Sequence, residues 1–202
     1  MRPALQTETD WPTMAGTATA DAIAEALAAG ADIDATDTHG RTGVLIAAKA
    51  ARLDVVRQLV DAGADIDKQD RIRLNPLLWG CISGDLDLVR LMVESGADVE
   101  RRTRFDGAPI HPAAEKGFVE IVRYLAEQTD CNLNHTNLCG WTPLLEAIIL
   151  RDGGPAQQEI VTVLIGAGAD PTMVDQWGTS PLQHAQEKGF TELAEILSGA
   201  LR

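Results

Sequence analysis

Apolar residues along this chain fall in short stripes that return at a nearly constant interval. The pairs Val55-Val56, Leu88-Val89, Ile121-Val122, Ile160-Val161 and Leu193-Ala194 are followed, four positions after their first members, by Leu59, Met92, Leu125, Leu164 and Leu197. An i, i+1, i+4 spacing is one face of an α-helix. Upstream of each stripe a second landmark opens another helix: Thr42-Gly43-Val44-Leu45, Asn75-Pro76-Leu77-Leu78, Ala108-Pro109-Ile110-His111, Thr142-Pro143-Leu144-Leu145 and Ser180-Pro181-Leu182-Gln183. Their starts lie 33, 33, 34 and 38 residues apart. A third landmark, Gly-Ala-Asp, begins at Gly30, Gly63, Gly96 and Gly168. Three landmarks in one register predict a tandem array of helix pairs.

Each landmark has a physical task. Pro after Thr or Ser suits the first helical turn, where a backbone N–H lacks a partner anyway, and the hydroxyl caps that turn. Gly ends the second helix because it takes a left-handed conformation without strain. Asp or Asn near Gly, as in Asn137-Leu138-Cys139-Gly140 and Asp175-Gln176-Trp177-Gly178, predicts a tight turn at the tip of each connecting loop. Small residues such as Ala47-Ala48, Ala113-Ala114 and Ala147 let the first helix approach its neighbours closely. A lone pair could not bury its apolar face, so the units must stack.

Thr-Pro-Leu-x-x-Ala, Ile/Val-Val-x-x-Leu and Gly-Ala-Asp at this period resemble the ankyrin repeat, over roughly residues 9–201. The resemblance implies an all-α solenoid: hairpin-like loops, each followed by two antiparallel helices, stacked into a curved array. It divides the chain into a tail (1–8) and approximate units 9–36, 37–69, 70–102, 103–136, 137–174 and 175–202, the first degenerate and the last a cap. The stretch from Trp141 through Gly154 is similar to one in various bacterial ankyrin proteins, which suggests a bacterial source.

The chain departs from the pattern in four places. Arg73 stands where a tip glycine belongs, which predicts a different turn there, and Asp106-Gly107 shifts its glycine by one place. Gln128-Thr129-Asp130-Cys131-Asn132 replaces Gly-Ala-Asp. Arg151 to Gln158 inserts five residues between the helices of the fifth unit, with Asp152-Gly153-Gly154-Pro155 reading as a turn. Such an insertion is expected on the convex side, away from a binding groove.

In the ankyrin family, recognition runs along the loop tips and the concave face of the first helices. A rigid scaffold presenting variable loops suits that task. Carried over residue by residue, the resemblance assigns partner binding to Arg71, Ile72, Trp79, Ile82, Arg104, Phe105, Trp141, Glu146, Ile149 and Trp177. Trp79, Trp141 and Trp177 either anchor a partner or pack between neighbouring units. Arg71, Arg73, Arg101, Arg102 and Arg104 form a basic island in two neighbouring loops. They either pair with Asp65, Asp67, Asp70, Asp98 and Glu100 or meet an acidic segment of a partner. A small anionic ligand at the same arginines is the alternative from another class.

Composition narrows the field. The formal charge of -13, from 30 acidic and 17 basic residues, argues against general binding to nucleic acid. No apolar run is long enough for a membrane span, and the mean hydropathy of -0.05 fits a soluble globular protein, expected as a monomer. Three cysteines argue against a disulfide framework and for a cytoplasmic location. Cys131-x-x-x-His135-x-x-x-Cys139 superficially resembles a metal site, but it offers three ligands where structural zinc wants four; no metal or cofactor is expected. Glu146 sits among apolar neighbours, which would raise its pKa, yet no catalytic partner, phosphate loop or nucleophile elbow accompanies it. The sequence reads as a non-enzymatic binding module.

Overall fold

The computed structural model describes residues 11–202; the tail at 1–8 and the first two positions of the first unit lie outside the described residues. Twelve helices occur among them, taken in six consecutive pairs, of which the last five pack helix against helix. These are α1 (Trp11–Met14) with α2 (Ala20–Ala28), α3 (Gly43–Lys49) with α4 (Leu53–Asp61), and α5 (Pro76–Ser83) with α6 (Leu86–Glu94). The others are α7 (Ile110–Lys116) with α8 (Val119–Gln128), α9 (Pro143–Ile149) with α10 (Pro155–Gly166), and α11 (Pro181–Glu187) with α12 (Thr191–Ala200). First helices pack on first helices of adjacent pairs, α1 on α3 through α9 on α11, and second helices form a parallel outer layer. The only β feature among the described residues is an isolated bridge between Thr36 and Thr42.

The apolar stripes make one continuous core. Ile23, Leu59, Leu88, Met92, Ile121, Leu125, Leu144, Leu164 and Leu197 are fully or almost fully buried within a single cluster running the length of the stack. Each such side chain contributes about 1.5–3 kcal/mol by leaving water. Leu45, Leu74 and Leu78 form a smaller cluster under the third loop, with Trp79 and Ile82 against it.

The helix starts are capped as the landmarks imply. Thr42, Asn75, Thr142 and Ser180 each accept the backbone N–H three residues on, from Leu45, Leu78, Leu145 and Gln183. Ser180 completes a reciprocal box, its own N–H donating to Gln183 Oε1 at 2.8 Å. Ala108 has no side-chain oxygen to offer at this register, so its carbonyl accepts the His111 N–H at 2.9 Å and its own N–H donates to His111 Nδ1 at 3.1 Å.

The loops project as fingers, and one side chain organises each. Oδ1 of Asp37, Asp70, Asn137 and Asp175 accepts the N–H groups two and four residues on. Thr103 Oγ1 does the same in the fourth finger. This clamp corrects the expectation for Arg73. The third finger keeps the common turn, with Arg73 itself left-handed at φ 61° and its N–H on Asp70 O at 2.9 Å, matching Gly40 on Asp37 O at 2.9 Å. Asp106 takes the equivalent place in the fourth finger, at φ 62°. Charge-assisted bonds to a carboxylate are worth about 1.5–3 kcal/mol each, enough to hold Arg73 where the steric cost is about 1–2 kcal/mol.

A second clamp links successive units. Asp34, Asp67, Glu100 and Asn134 each accept a backbone N–H from the next unit, on Asp65, Asp98, Asn132 and Asp170 respectively. The inserted residues of the fifth unit are shared between a loop at 150–154 and extra length in α10, whose 12 residues exceed those of the other second helices. That loop follows the C-terminal end of α9, the opposite end of the helix from its finger. Gly153 at φ 72° lies against the Phe190 ring, and Arg151 Nε donates to Glu115 O at 2.6 Å, so the loop bridges the units on either side.

Candidate functional site

Four exposed apolar side chains stand at the tips of four successive fingers: Ile72 (51% exposed), Phe105 (57%), Leu138 (68%) and Trp177 (68%). They are lifted into solvent because the clamp turns the chain sharply and leaves the tip side chains nothing to pack on. Arg71, Arg73 and Arg104 flank the first two, are exposed, and form no ion pair among the described residues. Arg104 instead lies over the Phe105 ring, 4.8 Å from its centroid. The rest of the basic island is neutralised locally: Arg102 meets Glu100 at 2.6 Å and Arg101 meets Asp98 at 3.6 Å. Local pairing therefore accounts for Arg101 and Arg102, and leaves Arg71, Arg73 and Arg104 without an acidic partner among the described residues.

Two hollows adjoin this row. One, of about 440 Å³, lies between the second and third fingers and includes His39, Lys49, Arg71 and Ile72. The other, of about 360 Å³, lies behind the third and fourth fingers, walled by Ile72, Leu74, Ile82, Phe105 and Pro112, with Glu146 and Asn137 on its far side. Its origin is local. Gly107 occupies the register place that Leu74 and Trp141 hold in the flanking units, and Pro112 the place of Trp79 and Glu146. The fourth unit lacks the bulk its neighbours carry, and space opens there.

Glu146 is buried, at 7% exposure. Asn137 Nδ2 donates to its Oε1 at 2.5 Å, and no ion pair among the described residues reaches it. Burial, opposed by the Asn137 hydrogen bond and aided by nearby Glu115, pushes its pKa up to about 7, in the direction its apolar setting predicted. His111 lines the same cavity but is fully engaged. Its Nδ1 accepts from Ala108 N–H, so Nε2 carries the proton and donates to His135 O at 3.1 Å. Burial, then the neighbouring His135 ring, lowers its pKa to about 4 and keeps it neutral.

The ten sequence-assigned residues separate into groups. Ile72, Ile82, Arg104, Phe105 and Glu146 line the 360 Å³ cavity. Arg71 lines the other hollow, and Trp177 stands alone at its fingertip. Trp79 is half-buried between the two apolar clusters and is covered by Lys49, whose Nζ sits 3.9 Å from the ring centroid. Trp141 and Ile149 are half-buried and line neither hollow; the Trp141 ring N–H has no hydrogen-bond partner among the described residues. Leu138 was mapped to its tip but not singled out, and Asn137 and Thr103 were missed; their position at the finger base was the available signal.

The cysteine–histidine bracket is taken apart by the fold. Cys131 Sγ is buried on Leu125 O at 3.4 Å, His135 Nε2 is spent on Asp106 O at 2.6 Å, and Cys139 lies half-buried in the fifth finger. Among the described residues no three His, Cys, Asp or Glu side chains are grouped to hold a metal ion. Burial raises the thiols of Cys81 and Cys131. No helix among the described residues is long and apolar enough to cross a membrane.

A one-dimensional stack of helix pairs, first helices packed on first helices of adjacent pairs and a clamped finger ahead of each of the last five pairs, defines a solenoid scaffold. The comparisons place it further. A family model for ankyrin repeats matches residues 14–103 and 102–172, and the chain belongs to the ankyrin-repeat family, generally a protein-interaction module and usually non-catalytic. An ankyrin repeat domain from Acinetobacter baumannii AYE superposes with a TM-score of 0.91 at 38% identity, covering 96% of this chain and 98% of that one. The ankyrin repeat protein EF0377 gives 0.88 at 31% identity, covering 94% and 96%. The ankyrin repeat protein YahD of Escherichia coli K12 is 51% identical over 76 residues, a stretch spanning 38% of either chain.

Proposed function

We propose that this protein binds another protein along the fingertip row, with Ile72, Phe105, Leu138 and Trp177 as apolar contacts and Arg71, Arg73 and Arg104 facing acidic residues of the partner. The observation that supports it is the placement of exposed apolar bulk. Of the seven large exposed hydrophobic residues among the described ones, four occupy the tips of consecutive fingers. Scattered exposed apolar residues need no explanation, but a row at a structural period does. A side chain held in solvent on a clamped turn contributes nothing to the fold, and aromatic anchors with flanking arginines dominate interface energetics. Trp79 and Trp141 enter this reading as support for the row rather than as anchors.

The alternative, a small anionic ligand at the arginines, has a specific observation in its favour: three unpaired guanidinium groups lie within two adjacent fingers. Peptide display against the full chain separates the two. Selected peptides should carry acidic residues beside apolar ones and should lose binding to the triple variant Arg71→Glu, Arg73→Glu, Arg104→Glu, and to Trp177→Ala. Affinity for wild type should fall steeply between low and physiological salt. Selected peptides that bind the variants as well as wild type would place recognition elsewhere.

A further inference from the structure

We propose that the cavity behind Phe105 receives a cation on an apolar stem, supplied as a lysine side chain of the bound partner. Its volume of about 360 Å³ lies at the small end of the roughly 300–1,000 Å³ typical of ligand clefts. Ile72, Leu74, Ile82, Phe105 and Pro112 wall it and suit an alkyl chain. Beyond them is Glu146, with one oxygen held by Asn137 and the other making no hydrogen bond to the described residues. Buried carboxylates are paired with cations in folded proteins, because an unpaired buried charge is costly. Glu146 has no such partner among the described residues, so a cation reaching it would complete an ion pair.

The charged groups around it do not supply the other half. Arg104 and Lys116 both line the cavity, but Arg104 is stacked on Phe105 and Lys116 forms no ion pair among the described residues. Glu115 is bridged by Arg151 at 3.8 Å. His111 is neutral with both ring nitrogens engaged, and His184 on the following helix is spent on Asp175 at 2.8 Å. The raised pKa of Glu146 agrees with a carboxylate that lacks its counter-ion. The inference deepens the fingertip reading and rests on it only for the source of the lysine: a chain lying across the tips of Ile72 and Phe105 passes the mouth of the cavity.

The test is a titration of the ¹⁵N-labelled full chain, read at the Asn137 side-chain amide and the backbone amides of Ile82 and Phe105. The probes are Nα-acetyl-lysine methylamide, its norleucine and glutamate analogues, and n-butylammonium. The capped lysine should bind roughly tenfold more tightly than the capped norleucine, the ratio expected of one charge-assisted contact. The glutamate analogue should leave these signals unmoved, and Glu146→Gln should weaken the lysine probe by about the same factor. Equal binding of the lysine and norleucine probes, or preference for glutamate, would overturn the assignment, and this comparison needs only wild type. Tighter binding of n-butylammonium than of capped lysine would give the cavity to a free amine and also overturn it. Absence of a cation preference leaves the peptide selection at the fingertips untouched, so the two readings fail separately.

Discussion

Replacing Glu146 by Gln should stabilise the protein at alkaline pH and leave it nearly unchanged at acid pH. The folded carboxyl titrates at about 7 against an ordinary 4.5. Below the lower value the group is protonated in the folded and the unfolded chain alike and contributes nothing. Between the two values the unfolded chain gives up a proton that the folded chain retains, so stability falls as pH rises; above the higher value the loss is complete. At 1.36 kcal/mol per pH unit the interval amounts to about 3 kcal/mol. Gln keeps an acceptor for Asn137 Nδ2 and carries no charge, so the variant escapes this loss. For a chain of this length 1 kcal/mol moves Tm by about 2–4 °C, so the variant should melt roughly 6–12 °C above wild type at about pH 8. At about pH 4 the two should nearly coincide. Helical circular dichroism on heating, repeated with urea at both pH values, measures the double difference. A gap between wild type and variant that is the same at both would refute the account, because a packing effect of the substitution does not depend on proton concentration.

Arg73→Gly should raise stability by about 0.5–1 kcal/mol, since it removes left-handed strain from a turn Asp70 holds anyway and repays part of that in unfolded-state entropy; a lower urea midpoint would count against the shared-turn assignment. Asp70→Ala should cost about 3 kcal/mol or more through the loss of two backbone N–H contacts to one carboxylate, visible as lower protection of the Ile72 and Leu74 amides in hydrogen exchange. Trp79→Ala should lower stability by about 2 kcal/mol or more, whereas Trp177→Ala should stay within about 0.5 kcal/mol. Urea titration ranks them, and the reverse order would exchange the structural and surface roles given to the two tryptophans.

How much of this was visible in the residues depended on whether the signal was periodic. The pairing of Val55-Val56 with Leu59, and its four echoes, placed the buried face of five of the six second helices, because a stack requires each unit to present the same face to the next. Thr42, Thr142 and Ser180 announced their caps for the same reason. Arg73 misled because attention to the missing glycine overlooked Asp70, three residues upstream, at the register of Asp37 and Asp175. The turn is set by the residue that accepts its amides, and the residue that suffers the positive φ follows. Trp79 shows a different limit. Its register places its Cα on the first-helix face, but register says nothing of rotamer, and the ring lies down between Leu45, Leu74 and Leu78 on one side and the main core on the other.

The cavity was beyond reading by motif because what makes it is bulk withheld. Gly107 and Pro112 attract no attention singly, and each is ordinary for a finger base or a first helical turn. Compared down the register they are the small members of two columns, where the flanking units put Leu74 and Trp141 in one and Trp79 and Glu146 in the other. Close packing fills such columns in the rest of the stack, and a solenoid cannot collapse to close a gap in one unit without losing its fit to both neighbours. The gap therefore persists, and it persists beside the one charged residue that its own column buries. Glu146 costs stability where it stands, and a bound cation would offset that cost. A column-by-column comparison of side-chain volume, rather than a search for known motifs, is the reading that would find such a site from sequence in other arrays of this kind.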